Sequence, residues 1–265
     1  MLSQVSVTKR KPEVPADPFL PMKGRLGTLF DSEIDYSPFE NIGYVAKQFR
    51  TPTAILANDP YDEHVHILER GYAYTFSLLE TGRRHISEVF GAGSICNWTS
   101  LDAPAARSNI NFMAGARVVC IKLKDLRELL KEQPVLAKAL TRHELARTMR
   151  ATQRVRAIVT RSGEDRLIHL LLDLRSEQSA SGGEAIRFAV PLKQDELADM
   201  IGQTHVHVNR IIRTLEKNGR LRRETGQWEL TKLDDEVQRL EYMEYFSTAP
   251  FSRREKDRYP HPVDQ

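Results

Sequence analysis

Cysteine is nearly absent from this chain. Cys96 and Cys120 are the only two in 265 residues, and they form no Cys-x-x-Cys pair. That excludes a disulfide scaffold and suits a reducing compartment. Long hydrophobic runs are missing as well. No stretch approaches the ~18 consecutive apolar residues of a transmembrane helix, and Met1–Pro21 lacks the apolar core of a secretory leader. The expectation is a cytoplasmic protein with no membrane partner. Charge of one sign does not dominate either: 39 Lys and Arg stand against 36 Asp and Glu, for a formal net charge of +3. Nucleic-acid binding is permitted by that balance but has to be argued from where the charges lie. No nucleophile–base pair, phosphate loop or metal triad stands out. Gly91-Ala92-Gly93 is too short to count as a dinucleotide fingerprint. The sequence therefore gives no reason to expect an enzyme or a cofactor.

What the chain does contain falls into blocks. Residues 1–25 are polar and punctuated by Pro12, Pro15, Pro18 and Pro21, which reads as a flexible N-terminal arm. Over 26–134 short apolar stretches alternate with turn residues, as in Thr53-Ala54-Ile55-Leu56, Val65-His66-Ile67-Leu68 and Val118-Val119-Cys120-Ile121. Strands of that length and spacing predict a small barrel or β-roll, with Glu80-Thr81-Gly82 as a hairpin corner. The period then changes. Asp125–Glu132 reads as a short helix stopped at Gln133-Pro134, and 135–161 as a long one free of Gly and Pro. On it Leu145, Met149, Thr152, Arg156 and Val159 follow at steps of 4, 3, 4 and 3, a narrow stripe of the coiled-coil kind. The stripe suits either packing on the barrel or a two-stranded dimer helix. Ser162 is placed to cap a helix from Gly163 to Leu174, followed by a polar loop from Ser176 to Glu184. The last block, 237–265, is a charged tail.

The text that carries most chemistry runs from Leu192 to Asn218. Leu197, Met200 and Ile201 share one face of a first helix, and Ala198 is small enough to admit a second helix closely. Gly202 supplies the positive φ of a tight turn, and Thr204 caps a second helix that buries Val208, Ile211, Ile212 and Leu215. Leu221–Leu230 reads as a following hairpin with Thr225-Gly226 at its tip. This is a winged helix-turn-helix pattern, spanning 162–236 with its preceding helix. From Thr204 to Arg223 six Lys or Arg (Arg210, Arg213, Lys217, Arg220, Arg222, Arg223) oppose one acid, Glu216. A phosphate backbone rewards that imbalance through counterion release. Thr204, His205, Val206, Asn209 and Arg210 occupy the first turns that reach base edges, while Arg213 and Lys217 follow on the same face. Double-stranded DNA is the partner this predicts.

Together the two halves resemble the Crp/Fnr family of bacterial regulators over about 28–236. The carrying residues are Ile67-Leu68-Glu69-Arg70-Gly71, Glu80-Thr81-Gly82-Arg83, Phe90-Gly91-Ala92-Gly93-Ser94-Ile95 and Gly202-Gln203-Thr204-His205-Val206-His207-Val208-Asn209-Arg210. The resemblance implies an α+β fold. It comprises an N-terminal cyclic-nucleotide-binding-like β-roll, a long dimerisation helix and a C-terminal winged helix-turn-helix. It also implies a homodimer on a two-fold symmetric site, contact with RNA polymerase, and an input through the β-roll. In cyclic-AMP-binding relatives a Gly-Glu pair holds the ribose and an Arg-Ser pair the phosphate, with a Thr-Ser pair on the long helix. Here the first reads Asn97-Trp98, the second Arg107-Ser108, and the third Ala151-Thr152. With two of three elements altered, cyclic AMP is not the expected effector. Trp98 could fill the pocket itself, which would leave the protein controlled by its abundance.

Other inputs have less behind them. An iron–sulfur cluster takes about four thiolates, more than this chain has. Cys96 reads as a buried structural thiol, and His64, His66 and His85 as surface or edge histidines lacking a well-spaced third ligand. Arg147, Arg150, Arg154 and Arg156 read as a solvated helix face. One alternative from a different class stays open at this level: a small-molecule-binding β-roll module whose helix-turn-helix serves protein assembly.

Overall fold

The computed structural model describes residues 17–30, 33–57, 63–101, 108–179, 186–224 and 226–246. The chain opens with α1 (Leu20–Gly27), carrying Pro21 in its first turn, where a missing N–H costs nothing. Seven strands follow: β1 (Tyr44–Gln48), β2 (Thr53–Ile55), β3 (His64–Arg70), β4 (Ala73–Leu78), β5 (Arg84–Phe90), β6 (Asn109–Phe112) and β7 (Arg117–Lys122). They form two antiparallel sheets, ordered β1-β7-β3 and β2-β6-β4-β5. The runs Val65–Leu68 and Val118–Ile121 are buried without alternation, because β3 and β7 are covered on both faces. The β4–β5 hairpin turns at the expected corner, where Gly82 takes φ +78° and donates to the Leu79 carbonyl.

Five helices, a strand and a hairpin precede a last helix in the rest of the described residues. They are α2 (Leu123–Glu132), α3 (Pro134–Thr160), α4 (Gly163–Ser179), β8 (Arg187–Ala189), α5 (Gln194–Ile201), α6 (His205–Lys217), β9 (Leu221–Glu224), β10 (Gln227–Leu230) and α7 (Leu233–Leu240). β8 joins the β9–β10 hairpin to make a three-stranded wing. No described helix is long and apolar enough to cross a membrane.

Several expectations need correction. The arm drawn over 1–25 does not hold for 17–25. There Phe19, Met22 and Arg25 are buried, and with Leu26 they dock α1 on β3 and α3. Residues 1–16 and 247–265 lie outside the described residues, as do Arg107 and Thr225. The loop expected from Ser176 to Glu184 does not hold for 176–179, which end α4 with Ser176 and Glu177 buried, and 180–184 lie outside the described residues. The boundary at 237 cuts through α7, whose Leu240 is 2% exposed. Arg147, Arg150 and Arg154 are not a solvated face but are 8%, 2% and 7% exposed, each ion-paired. A helix period cannot separate a buried from an exposed arginine when the partner acid lies far away in sequence. His66 is buried beside Phe112 rather than at a surface, whereas His85 is exposed.

The expected stripe of α3 is the face left uncovered. Leu145, Thr152, Arg156 and Val159 are exposed and Met149 is half-buried, while the opposite face buries Leu136, Leu140, Ala146 and Ala157. That excludes packing of the stripe on the β-roll of the same chain.

Candidate nucleic-acid interface and effector cavity

Each part of the helix-turn-helix has a local cause. The N-cap of α5 is Lys193, whose amide donates to Glu196 Oε2 at 2.8 Å. Leu197, Ala198, Met200 and Ile201 are buried as the spacing predicts. Gly202 ends α5 in the left-handed region at φ +66°. Thr204 then caps α6, its hydroxyl accepting from the His207 amide at 3.3 Å. Val208, Ile211, Ile212 and Leu215 seat α6 in a core shared with α4.

On the opposite side of α6, His205, Val206, Arg210, Arg213 and Lys217 are exposed, in one strip along a helix about 20 Å long. Arg210 lies 2.6 Å from His207 Nδ1, which steadies its guanidinium at the helix surface. Asn209 is half-buried and donates to Gln194 Oε1 at 3.0 Å, so it also ties α6 to α5. Two of the six basic residues in this stretch are committed elsewhere. Arg220 pairs with both oxygens of Glu236 at 2.7 and 2.9 Å and reaches Glu164 at 3.2 Å. Burial tends to raise the Glu236 carboxyl, but Arg220 and Arg239 outweigh it and hold it below its usual range. Arg223 is bidentate to Glu216 at 2.6 and 3.0 Å and lies over Trp228. Among the described residues Arg213 and Lys217 make no ion pair, which leaves their charge uncompensated within the chain.

Three of the expected effector residues converge and Thr152 does not. Asn97, Trp98 and Ser108 line a cavity of about 280 Å³ between the β-roll and α3, with Glu88, Glu144 and Arg147 on its wall. Thr152 instead lies on the outer face of α3, beside a different groove. The side chain of Asn97 is spent on β3, accepting from the His66 amide at 2.8 Å and donating to the His64 carbonyl at 2.8 Å. Arg147 is bidentate to Glu88 at 3.1 and 2.7 Å and bonds Glu144 and the Ile95 carbonyl. A cation so compensated has little left for a ligand phosphate. Burial pushes the nearby Cys96 thiol far up, so it stays protonated and inert. No cluster of three or more His, Cys, Asp or Glu suited to a metal occurs among the described residues.

Two contacts between the halves gave no sequence signal. Tyr74 donates to Glu196 Oε1 at 3.0 Å, and Arg84 bonds Asp199 at 2.8 Å and Asp195 at 3.4 Å, clamping α5 to the β4–β5 hairpin. Deeper in, Glu177 of α4 accepts from the Gly91 amide, the Ser94 hydroxyl and Arg150 at 2.8, 2.7 and 2.5 Å, and pairs with Arg25 at 3.0 Å. Burial alone would raise this carboxyl, but Arg25 and Arg150, with the two neutral donors, hold it well below the carboxylate range. These partners lie 27 to 152 residues from Glu177, beyond any local pattern.

Residues 165–235 match the family model of the Crp-like helix-turn-helix domain. The chain is 27% identical over 192 residues to the probable transcriptional regulator flp of Lacticaseibacillus casei, covering 71% of this chain and 84% of that protein. It is 24% identical to the nitrogen fixation regulation protein FixK of Azorhizobium caulinodans, over 64% of this chain and 68% of the relative. Among solved structures, FixK2 from Bradyrhizobium japonicum superposes with a TM-score of 0.62 at 20% identity, over 75% of this chain and 95% of that one.

Proposed function

We propose, on the premise that the chain belongs to the Crp/Fnr family of transcriptional regulators, that it reads a two-fold symmetric DNA site as a homodimer. The observation that carries this is the outer strip of α6, where exposed Arg210, Arg213 and Lys217 follow His205 and Val206 on one face. Arg213 and Lys217 neutralise phosphates. Thr204, His205, Val206, Asn209 and Arg210 occupy the turns that enter the major groove, where Arg210 suits a guanine edge. Dimerisation along the exposed α3 stripe sets two copies of α6 one helical turn of DNA apart, about 34–36 Å.

The input is not cyclic AMP. By the family resemblance Trp98 takes the place of the carboxylate that grips a ribose, and Arg147 is already neutralised by Glu88 and Glu144. Titration calorimetry with cyclic AMP is expected to give no binding heat. For the DNA reading, selection from random duplexes is expected to enrich an inverted repeat with half-sites about 10 base pairs apart. Enrichment of no symmetric site, or an affinity unchanged in Arg210→Ala/Arg213→Ala, would favour an assembly role for the helix-turn-helix.

A further inference from the structure

The segment after α7 is placed by the fold in a way the helix-turn-helix does not require. Glu241 takes φ +51°, the one non-glycine residue with positive φ among the described residues, and turns the chain across α3 and α4. Tyr242, Glu244 and Phe246 face inward. The Tyr242 hydroxyl donates to Asp173 at 3.2 Å, Glu244 accepts from Ser176 at 2.7 Å, and Phe246 is 5% exposed beneath Arg25 and Arg150. The backbone is fixed too: Gln153 of α3 accepts from the Met243 amide at 2.8 Å and donates to its carbonyl at 3.2 Å.

The odd residues Glu241, Met243 and Tyr245 form one wall of a groove of about 600 Å³, whose other wall is α3 at Thr148, Met149 and Thr152. That second wall includes Met149 and Thr152, the middle of the exposed stripe. The stripe continues beyond the groove to Leu145 and Val159, 48% and 75% exposed, about 21 Å apart along the helix. A 4-3-4-3 spacing presents one continuous seam to a parallel helix of the same spacing, and another copy of α3 has it.

We propose that the second copy's α3 seats in this groove, so that residues 241–246 are a structural wall of the dimer seam and join it to the α3–α4 elbow. This rests on the dimer reading above and adds a partner-contacting segment to it. Because the same segment grips Asp173 and Ser176 of α4, docking of the second copy is felt at the helix that carries the DNA-binding domain.

The test is sedimentation equilibrium of the full chain against Met243→Asp, Val159→Asp and a chain ending at Phe246, with helix content checked by circular dichroism. Hydrogen exchange over 241–246, at dimeric and at dilute concentrations, gives a readout that needs no substitution. Expected results are a dimer Kd raised at least tenfold by Met243→Asp and by Val159→Asp, unchanged by the truncation, and protection of 241–246 that rises with concentration. If Val159→Asp weakens the dimer while Met243→Asp leaves Kd within twofold and protection does not change, α3 pairs without residues 241–246 and this proposal alone falls. If neither substitution matters, the α3 dimer reading falls with it. Loss of the dimer on truncation after Phe246 would assign the groove to residues 247–265 and overturn the proposal.

Discussion

Replacing Glu177 by alanine removes the acceptor at which α1, the β-roll loop, α3 and α4 meet. Four donors lose their partner: the Gly91 amide, the Ser94 hydroxyl, and the Arg25 and Arg150 guanidiniums. Arg150 keeps Glu88 at 3.1 Å, and Arg25 keeps the Ala92 and Glu177 carbonyls. Arg25 is then left 0% exposed with no carboxylate against it. Breaking a buried ion pair by deleting one member costs about 3–5 kcal/mol. At about 2–4 °C per kcal/mol for a chain near this size, Tm at pH 7 should fall by roughly 6–20 °C. The effect has a definite pH dependence. Because the folded state depresses this carboxyl below its unfolded value of about 4.3, its contribution is full above that pH. It is lost as pH drops through the folded value, so the gap between wild type and Glu177→Ala should narrow below about pH 4. Calorimetric melts from pH 3 to 7 measure both quantities. A Tm loss under about 2 °C at pH 7, or a gap that stays constant down to pH 3, refutes the assignment of Glu177 as the charged hub.

Arg213→Ala should weaken DNA binding on every sequence alike and reduce the slope of log K against log salt by about 1, read from binding titrations at several salt concentrations. Arg220→Ala, whose guanidinium is held by Glu236 and Glu164, should lower Tm and leave that salt slope where it was. A Cβ at Gly93, which takes φ +85°, would collide with the Pro21 carbonyl oxygen, so Gly93→Ala should push α1 off the β-roll. Limited trypsin digestion should then cut after Lys23 or Arg25, which the native fold protects. Cys96, 3% exposed with its thiol pushed up by burial, should resist iodoacetamide until urea unfolds the chain; prompt alkylation would contradict that placement.

Local patterns were enough where the deciding interactions are local. The spacing of Leu197, Met200, Val208 and Ile212, the positive φ at Gly202 and the cap at Thr204 all act within one or two turns, so the helix-turn-helix was legible almost residue by residue. The same holds for the uncovered stripe from Leu145 to Val159 and for the Gly82 corner. Charge was different. Nothing near Arg147, Arg150 or Arg154 in sequence distinguishes a solvated guanidinium from a buried one. Their status follows from Glu88, Glu177 and Asp173, which only chain folding brings within 3.1 Å. Arg220 and Arg223 likewise add to the basic text of this stretch, yet Glu236 and Glu216 consume them. The Pro-rich start concealed α1, because Phe19, Met22 and Leu26 are stabilised by a surface supplied by β3 and α3 rather than by their own periodicity. Sequence alone thus determined the helix-turn-helix and which helix is proposed to meet DNA. Tertiary structure decided which charges remain to meet it and how α4 is fastened to the β-roll, since ion-pair partners are chosen by distance in space.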